Sequence, residues 1–367
     1  MKIWWISRTP ADRRFDKFTP GESPILKRMQ LKGHQVHSYC IEPVRVPNVY
    51  VSYALAILRF PFRFRGSRPD VIVTNCIESA VACVMMKWLF NVPFVFHFID
   101  DYSLIASYSR RRLKDMRVAL LRMLERCIPV LADLVIVVSD ELKKFCLDAG
   151  VPEGKVRMVE NGVDTELFKP GGGHESIRDR LGLSGGKVIL FRGKLNRYYR
   201  IELIIRAIPM VLREFPNTKL LLIGDGDNVD KLKLLSRELG IVDSLLFVEF
   251  QPQEKLSQYI NVSDICVYPL SNSGALAMLE YASCAKPTIL PRVGTRKLGP
   301  SHELIRRNCV LLVENSPEGF AKGMKFLLRN EERAEEMGRK ARKIVVKSYD
   351  LNILASQYER ALQQVLK

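Results

Sequence analysis

Along the whole chain, strand-length runs of apolar residues alternate with longer segments of helical period, and this pattern leaves few folds open. A strand buried on both faces reads as a nearly continuous apolar run, and a neighbour that returns in parallel needs a long crossover, usually a helix. Runs at Ile3–Ile6, Gln35–Tyr39, Val71–Thr74, Phe94–Phe98 and Leu134–Val138 read as strands of the first half. Val188–Phe191, Lys219–Ile223, Leu245–Glu249, Ile265–Tyr268 and Thr288–Leu290 repeat the pattern in the second. The economical reading is α/β, with two parallel sheets each covered by helices on both faces. A length of 367 residues suits two domains better than one. Pro170-Gly-Gly-Gly-His and Gly185-Gly186 place a hinge near residues 165–187.

The balance of 57 Lys and Arg against 40 Asp and Glu leaves a net charge of +17. Such a charge suits an anionic partner: a nucleotide diphosphate, phospholipid headgroups or nucleic acid. The 8 cysteines are scattered without C-x-x-C pairs or histidine ligand spacing, so they read as small buried apolar residues of a reducing cytosol. The opening Met1-Lys-Ile-Trp-Trp-Ile-Ser-Arg is a buried strand, too short for a signal-peptide core. The most apolar run, Ala80 to Phe98, is broken by Lys87, Asn91 and Pro93, which predicts a helix, a turn and a strand in place of a membrane span.

The stretch V-R-M-V-E-N-G-V-D-T-E-L-F-K-P, Val156 to Pro170, joins a short apolar strand to a turn. Asn161 and Gly162 tolerate positive φ, Asp164 suits the cap of a short helical turn, and Phe168 suits its anchor before Pro170 ends it. The segment resembles the N-G-V-D…F-x-P motif of the retaining glycosyltransferases of family 4. The resemblance implies a GT-B fold, two Rossmann-like domains facing across a cleft. Residues 1–166 would bind the acceptor, with helix 350–367 packing back on them, and residues 167–349 would bind the nucleotide sugar.

Three loops of the second half carry the rest of the resemblance. R-G-K-L-N-R-Y-Y-R, after Val188–Phe191, is similar to the family's G-R-L-x-x-x-K-G segment, with Gly193 and Leu195 matching, Lys194 in place of Arg, and Tyr199-Arg200 in place of Lys-Gly. There Lys194 with Arg200, or Arg197 folding back, would offset the charge of a leaving diphosphate. Gly224 and Gly226 of G-D-G-D-N resemble the family's I-G-x-G turn beside the nucleotide, while Asp225 and Asp227 are explained by a bare turn as well as by a metal. In D-I-C-V-Y-P…L-E-Y-A-S-C-A-K-P, Glu280 falls on the second glutamate of the family's pair, implied to hold the ribose hydroxyls. The first glutamate's place is taken by Asn272, which can hydrogen-bond a sugar but carries no charge to stabilise an oxocarbenium-like centre.

In the first half, Gly21 of F-T-P-G-E-S stands where the family has a glycine turn near the donor phosphates, and a plain turn explains it equally. The family often has His-Asp at the end of the fourth strand, where this chain has Ile99-Asp100. His97 lies two residues earlier, and alternation would put it on the face of Ile99. A catalytic His97 and a core His97 both remain open here.

The reading is therefore a transferase moving sugar from a nucleotide-diphosphate donor, with no cofactor and no metal expected, to a glycan or lipid acceptor. A sugar-nucleotide 2-epimerase of the same architecture, and a non-catalytic nucleotide-sugar binder motivated by Asn272, are the alternatives. Nucleic acid is the disfavoured partner. Val49–Arg68 and Ser107–Arg126 mix apolar and basic residues as a helix lying on an anionic membrane does, and equally as a solvated helix face does. A cytoplasmic location, peripheral on the inner face of the membrane, follows from this reading.

Overall fold

A computed structural model describes residues 1–8, 24–42, 49–64, 68–107, 114–171, 175–183, 185–270, 276–292 and 301–366. The chain forms two compact units, Met1–Glu160 with Leu351–Lys367, and Asn161–Asp350.

The first unit holds β1 (Lys2–Arg8), β2 (Gln35–Ile41), β3 (Val71–Thr74), β4 (Phe94–Phe98), β5 (Leu134–Val137) and β6 (Val156–Met158), in the order β2-β1-β3-β4-β5-β6. All pairings are parallel. Strands β3, β4 and β5 are buried along their whole length, which is why they read as unbroken apolar runs. Alternate side chains feed two cores. Trp4, Ile6, Phe94 and Phe96 pack with Ala80 and Cys83 of helix Ile77–Phe90. Ile3, Trp5, Val73 and Val95 pack with Leu354, Tyr358 and Leu362 of the last helix, Leu351–Gln364. Glu359 of that helix accepts from Lys32 Nζ at 2.8 Å and pairs with His34 Nε2 at 2.9 Å. The Ala80 to Phe98 run is a helix ended by left-handed Asn91 (φ 50°), then β4.

The second unit holds β7 (Val188–Arg192), β8 (Lys219–Ile223), β9 (Leu245–Val248), β10 (Ile265–Val267), β11 (Thr288–Pro291) and β12 (Leu311–Val313). They form a second parallel sheet in the order β12-β11-β10-β7-β8-β9. Strand β12 lies outside the sequence reading because it is short, at the sheet edge, and only its last residue is fully buried. All 8 cysteines are free, and Cys83, Cys146, Cys266, Cys284 and Cys309 are buried as expected, whereas Cys127 is exposed. Burial pushes the Cys146 and Cys266 thiols up to about 12.

The Asn161–Pro170 segment belongs to this second unit, so the dividing line falls after Glu160 and not after residue 166. The reason is where its polar groups go. Val163 N–H donates to Tyr349 O at 2.9 Å, and Thr165 Oγ1 to Asp350 Oδ2 at 2.6 Å. Asp164 Oδ1 accepts from the N–H groups of Glu166 and Leu167 at 3.2 and 3.1 Å, the expected cap. Phe168 is buried, and its carbonyl accepts from Ser283 Oγ and from Arg342 Nη1. Neither Asn161 nor Gly162 adopts the positive φ expected of them, because the chain runs on without a turn to the parallel bridge between Val163 and Asp350.

Phe168 thus fills a core position and fixes a carbonyl that two donors share. Phe168→Ala should destabilise the protein by about 3–5 kcal/mol, read as a lower urea midpoint with native circular dichroism retained. A midpoint within error of wild type would show that the segment is not anchored by this ring.

Candidate functional site

Strand β7 is the first of its sheet, with β8 and β9 on one side and β10, β11 and β12 on the other. The order therefore reverses between β7 and β10. Open parallel sheets take ligands beyond the carboxyl ends of their strands at such a reversal.

The loop leaving β7 carries Gly193, Lys194, Leu195 and a short turn, Arg197–Tyr199, followed by Arg200. Lys194, Arg197 and Arg200 are exposed. Arg200 is left-handed, with φ 50°, at the very position where the resembling motif has glycine. This loop is stitched to the one leaving β8. Gly193 N–H donates to Ile223 O at 3.0 Å, Leu195 N–H to Asp225 O at 2.7 Å, and Asn228 N–H to Leu195 O at 3.0 Å. A Cβ on Gly224 would lie 1.9 Å from Gly193 O, and one on Gly226 2.3 Å from Leu195 O. Backbone contact alone therefore demands both glycines. The G-D-G-D turn is where the two loops meet.

Glu280 departs from the expectation of a carboxylate open to ribose. It is 1% exposed, and Arg192 grips it through both oxygens, Nε to Oε2 at 2.6 Å and Nη2 to Oε1. Arg192 ends β7, Glu280 lies in helix Leu276–Ser283 that follows β10, and the pair spans the reversal of strand order. Tyr281 Oη accepts the Arg192 backbone N–H at 2.7 Å, fixing the strand end to the same helix. Burial pushes the Glu280 carboxyl above the ordinary carboxylate range, with the guanidinium pulling the other way. Sequence reasoning passed over Arg192. Its one signal is a charge closing the apolar run V-I-L-F-R.

His97 is a core residue. Ile99 lies beyond the end of β4, so strand alternation does not carry through to it, and it packs against the core of Phe96 and Phe98. His97 instead lies edge-on to Trp5 and Tyr358, centroids 6.0 and 5.3 Å away, beneath the last helix. Among the described residues its buried Nδ1 has no partner, and burial lowers its pKa to about 4. Gly21 and Asn272 lie outside the described residues.

The profile of the family described as Glycosyl transferases group 1 matches residues 174–344, and that of Glycosyltransferase Family 4 matches residues 12–167. The chain belongs to these glycosyltransferases. An uncharacterized glycosyltransferase of Methanocaldococcus jannaschii is 29% identical over 229 residues, 61% of this chain and 58% of that relative, so the match spans under two thirds of its length. Among solved structures, sucrose-phosphate synthase of Thermosynechococcus elongatus superposes with a TM-score of 0.79 at 17% identity, covering 100% of this chain and 99% of that one. Anabaena HepE in complex with UDP and glucose superposes at 0.74 and 18% identity, covering 99% of each. The fold is GT-B.

Within this family member, His97 makes a distinct contribution to stability. Its folded pKa of about 4 lies below the ordinary 6.5, so between those values only the unfolded chain takes up the proton. Stability should therefore fall as pH drops from about 6.5 to about 4, by up to ~3 kcal/mol at about 1.4 kcal/mol per pH unit. His97→Leu should flatten that part of the curve of urea midpoint against pH. Parallel curves for the two proteins would show that this imidazole is not held neutral by the fold.

Proposed function

We propose that the chain transfers a sugar from a nucleotide-diphosphate sugar to a glycan or lipid-linked acceptor, with retention of anomeric configuration. The observation that carries this reading is the exposed cationic loop of Lys194, Arg197 and Arg200 at the carboxyl end of β7, beside the reversal of strand order. The UDP and glucose held by the Anabaena neighbour support a donor of this chemistry. In the reaction, the bond from the anomeric carbon to the diphosphate breaks while the acceptor oxygen bonds to the same face. The acceptor's proton passes to the departing diphosphate. Lys194 and Arg200 offset the charge that grows on that group, a task for fixed cations that needs no metal. The first unit would hold the acceptor.

Incubation with a panel of UDP-, GDP- and ADP-sugars, with and without a lipid extract, tests this. Acceptor-dependent release of a nucleoside diphosphate is expected. An epimerised sugar nucleotide, or binding without turnover, would replace the reading with an isomerase or a binder. With the productive donor, Lys194→Ala should lower kcat by about a hundredfold or more and leave KM nearly unchanged, because the cation acts on developing charge. A raised KM with wild-type kcat would make Lys194 a simple anchor.

The acceptor side of this proposal includes a cytoplasmic membrane surface. In the first unit, the segments Val49–Arg59, Phe60–Phe64, Ile77–Phe90 and Lys114–Leu131 pack side by side. They leave large apolar side chains in solvent, Trp88 at 68% and Met116 at 72%, with Phe62, Leu89, Leu120 and Met123 also exposed. Exposed Arg59, Arg122 and Arg126 lie among them, each adding about 1 kcal/mol at an anionic leaflet. Among the described residues no helix is long and apolar enough to cross a membrane. Sedimentation should recover the protein with phosphatidylglycerol vesicles at low salt and not with phosphatidylcholine alone. Recovery equal in both, or in neither, removes the charged surface from the proposal.

A further inference from the structure

Arg192 and Glu280 form an ion pair at the end of β7. Replacing a buried ion pair by apolar groups of similar volume is often neutral or stabilising, so burial alone gives little reason for a pair here. Its two halves are also unequally placed. The Glu280 side chain is 2% exposed and that of Arg192 22%, so the arginine is the half of the pair that is not fully enclosed. Nε and one N–H of Nη2 are engaged by the carboxylate. The remaining donors lie on Nη1 and the outer side of Nη2, and among the described residues they have no partner. That free edge is itself a planar fork, the geometry that takes two oxygens of a phosphate at once. It stands at the end of β7, next to Gly193 and Lys194, where the strand order reverses.

We propose that Arg192 is a donor-binding residue whose outer edge takes the diphosphate of the nucleotide sugar, with Glu280 as the buried counter-ion that aims it. This rests on the donor reading above and assigns Glu280 a positioning role in place of ribose contact. A guanidinium clamped on one side by a carboxylate has lost its rotameric freedom before the ligand arrives, so little ordering remains to be done on binding.

The test is calorimetric titration of UDP, GDP, ADP, the matching nucleosides and inorganic pyrophosphate into wild type and Arg192→Met/Glu280→Met, which removes both charges together. For the nucleoside diphosphate that wild type binds, the double variant should be about ten- to a hundredfold weaker. Affinity for the matching nucleoside should stay unchanged, and pyrophosphate should compete in wild type alone. Arg192→Lys, which keeps the charge and loses the fork, should also weaken the diphosphate and spare the nucleoside; it serves as the test if the double variant does not fold. Wild-type diphosphate affinity in the variants, or equal loss for nucleoside and diphosphate, overturns the role of Arg192 while leaving the donor reading intact. Wild type binding none of the nucleoside diphosphates overturns the donor reading and this inference with it.

Discussion

Two parallel strands cannot be joined by a tight turn, and the architecture of both units follows from that constraint. Each strand must be followed by a crossover, so the carboxyl ends collect along one edge of the sheet and the helices fall on its two faces. The strands are then shielded from water on both sides, as in β3, β4, β5 and β11. Residues distant in sequence meet at the shared edge. Arg192 reaches Glu280 across 88 positions because it ends β7 and Glu280 lies in the helix that follows the neighbouring strand β10.

At that edge the backbone does much of the positioning. The loops after β7 and β8 approach so closely that Gly224 and Gly226 leave no space for a side chain, and the carbonyls of Ile223, Asp225 and Leu195 complete the join. Such a join fixes the loop that carries Lys194 with main-chain bonds, which lose no side-chain entropy. The buried Glu280 carboxylate beside it is held at both oxygens by charge-assisted bonds from Arg192, and the Tyr281 hydroxyl ties the same strand end to the helix. Cationic side chains are thereby offered from a rigid base, the arrangement that electrostatic stabilisation of a leaving group requires.

The sequence by itself determined the α/β class and the strands, because doubly buried strands announce themselves as unbroken apolar runs. It also carried the Asp164 cap and the Phe168 anchor, which depend on neighbours within a few residues. It did not show β12, where a short edge strand leaves too little apolar signal. Only the tertiary structure decided the rest, since each remaining question turned on a partner far along the chain. His97 is neutral and buried because Trp5 and Tyr358 close over it, and Tyr358 arrives from the last helix. Residues 161–170 go with the second unit because Tyr349, Asp350 and Arg342 take up their polar groups. Glu280 faces a guanidinium because β7 and β10 are neighbours in space and not in sequence, and the direction of a carboxylate is set by whichever charge the fold brings to it.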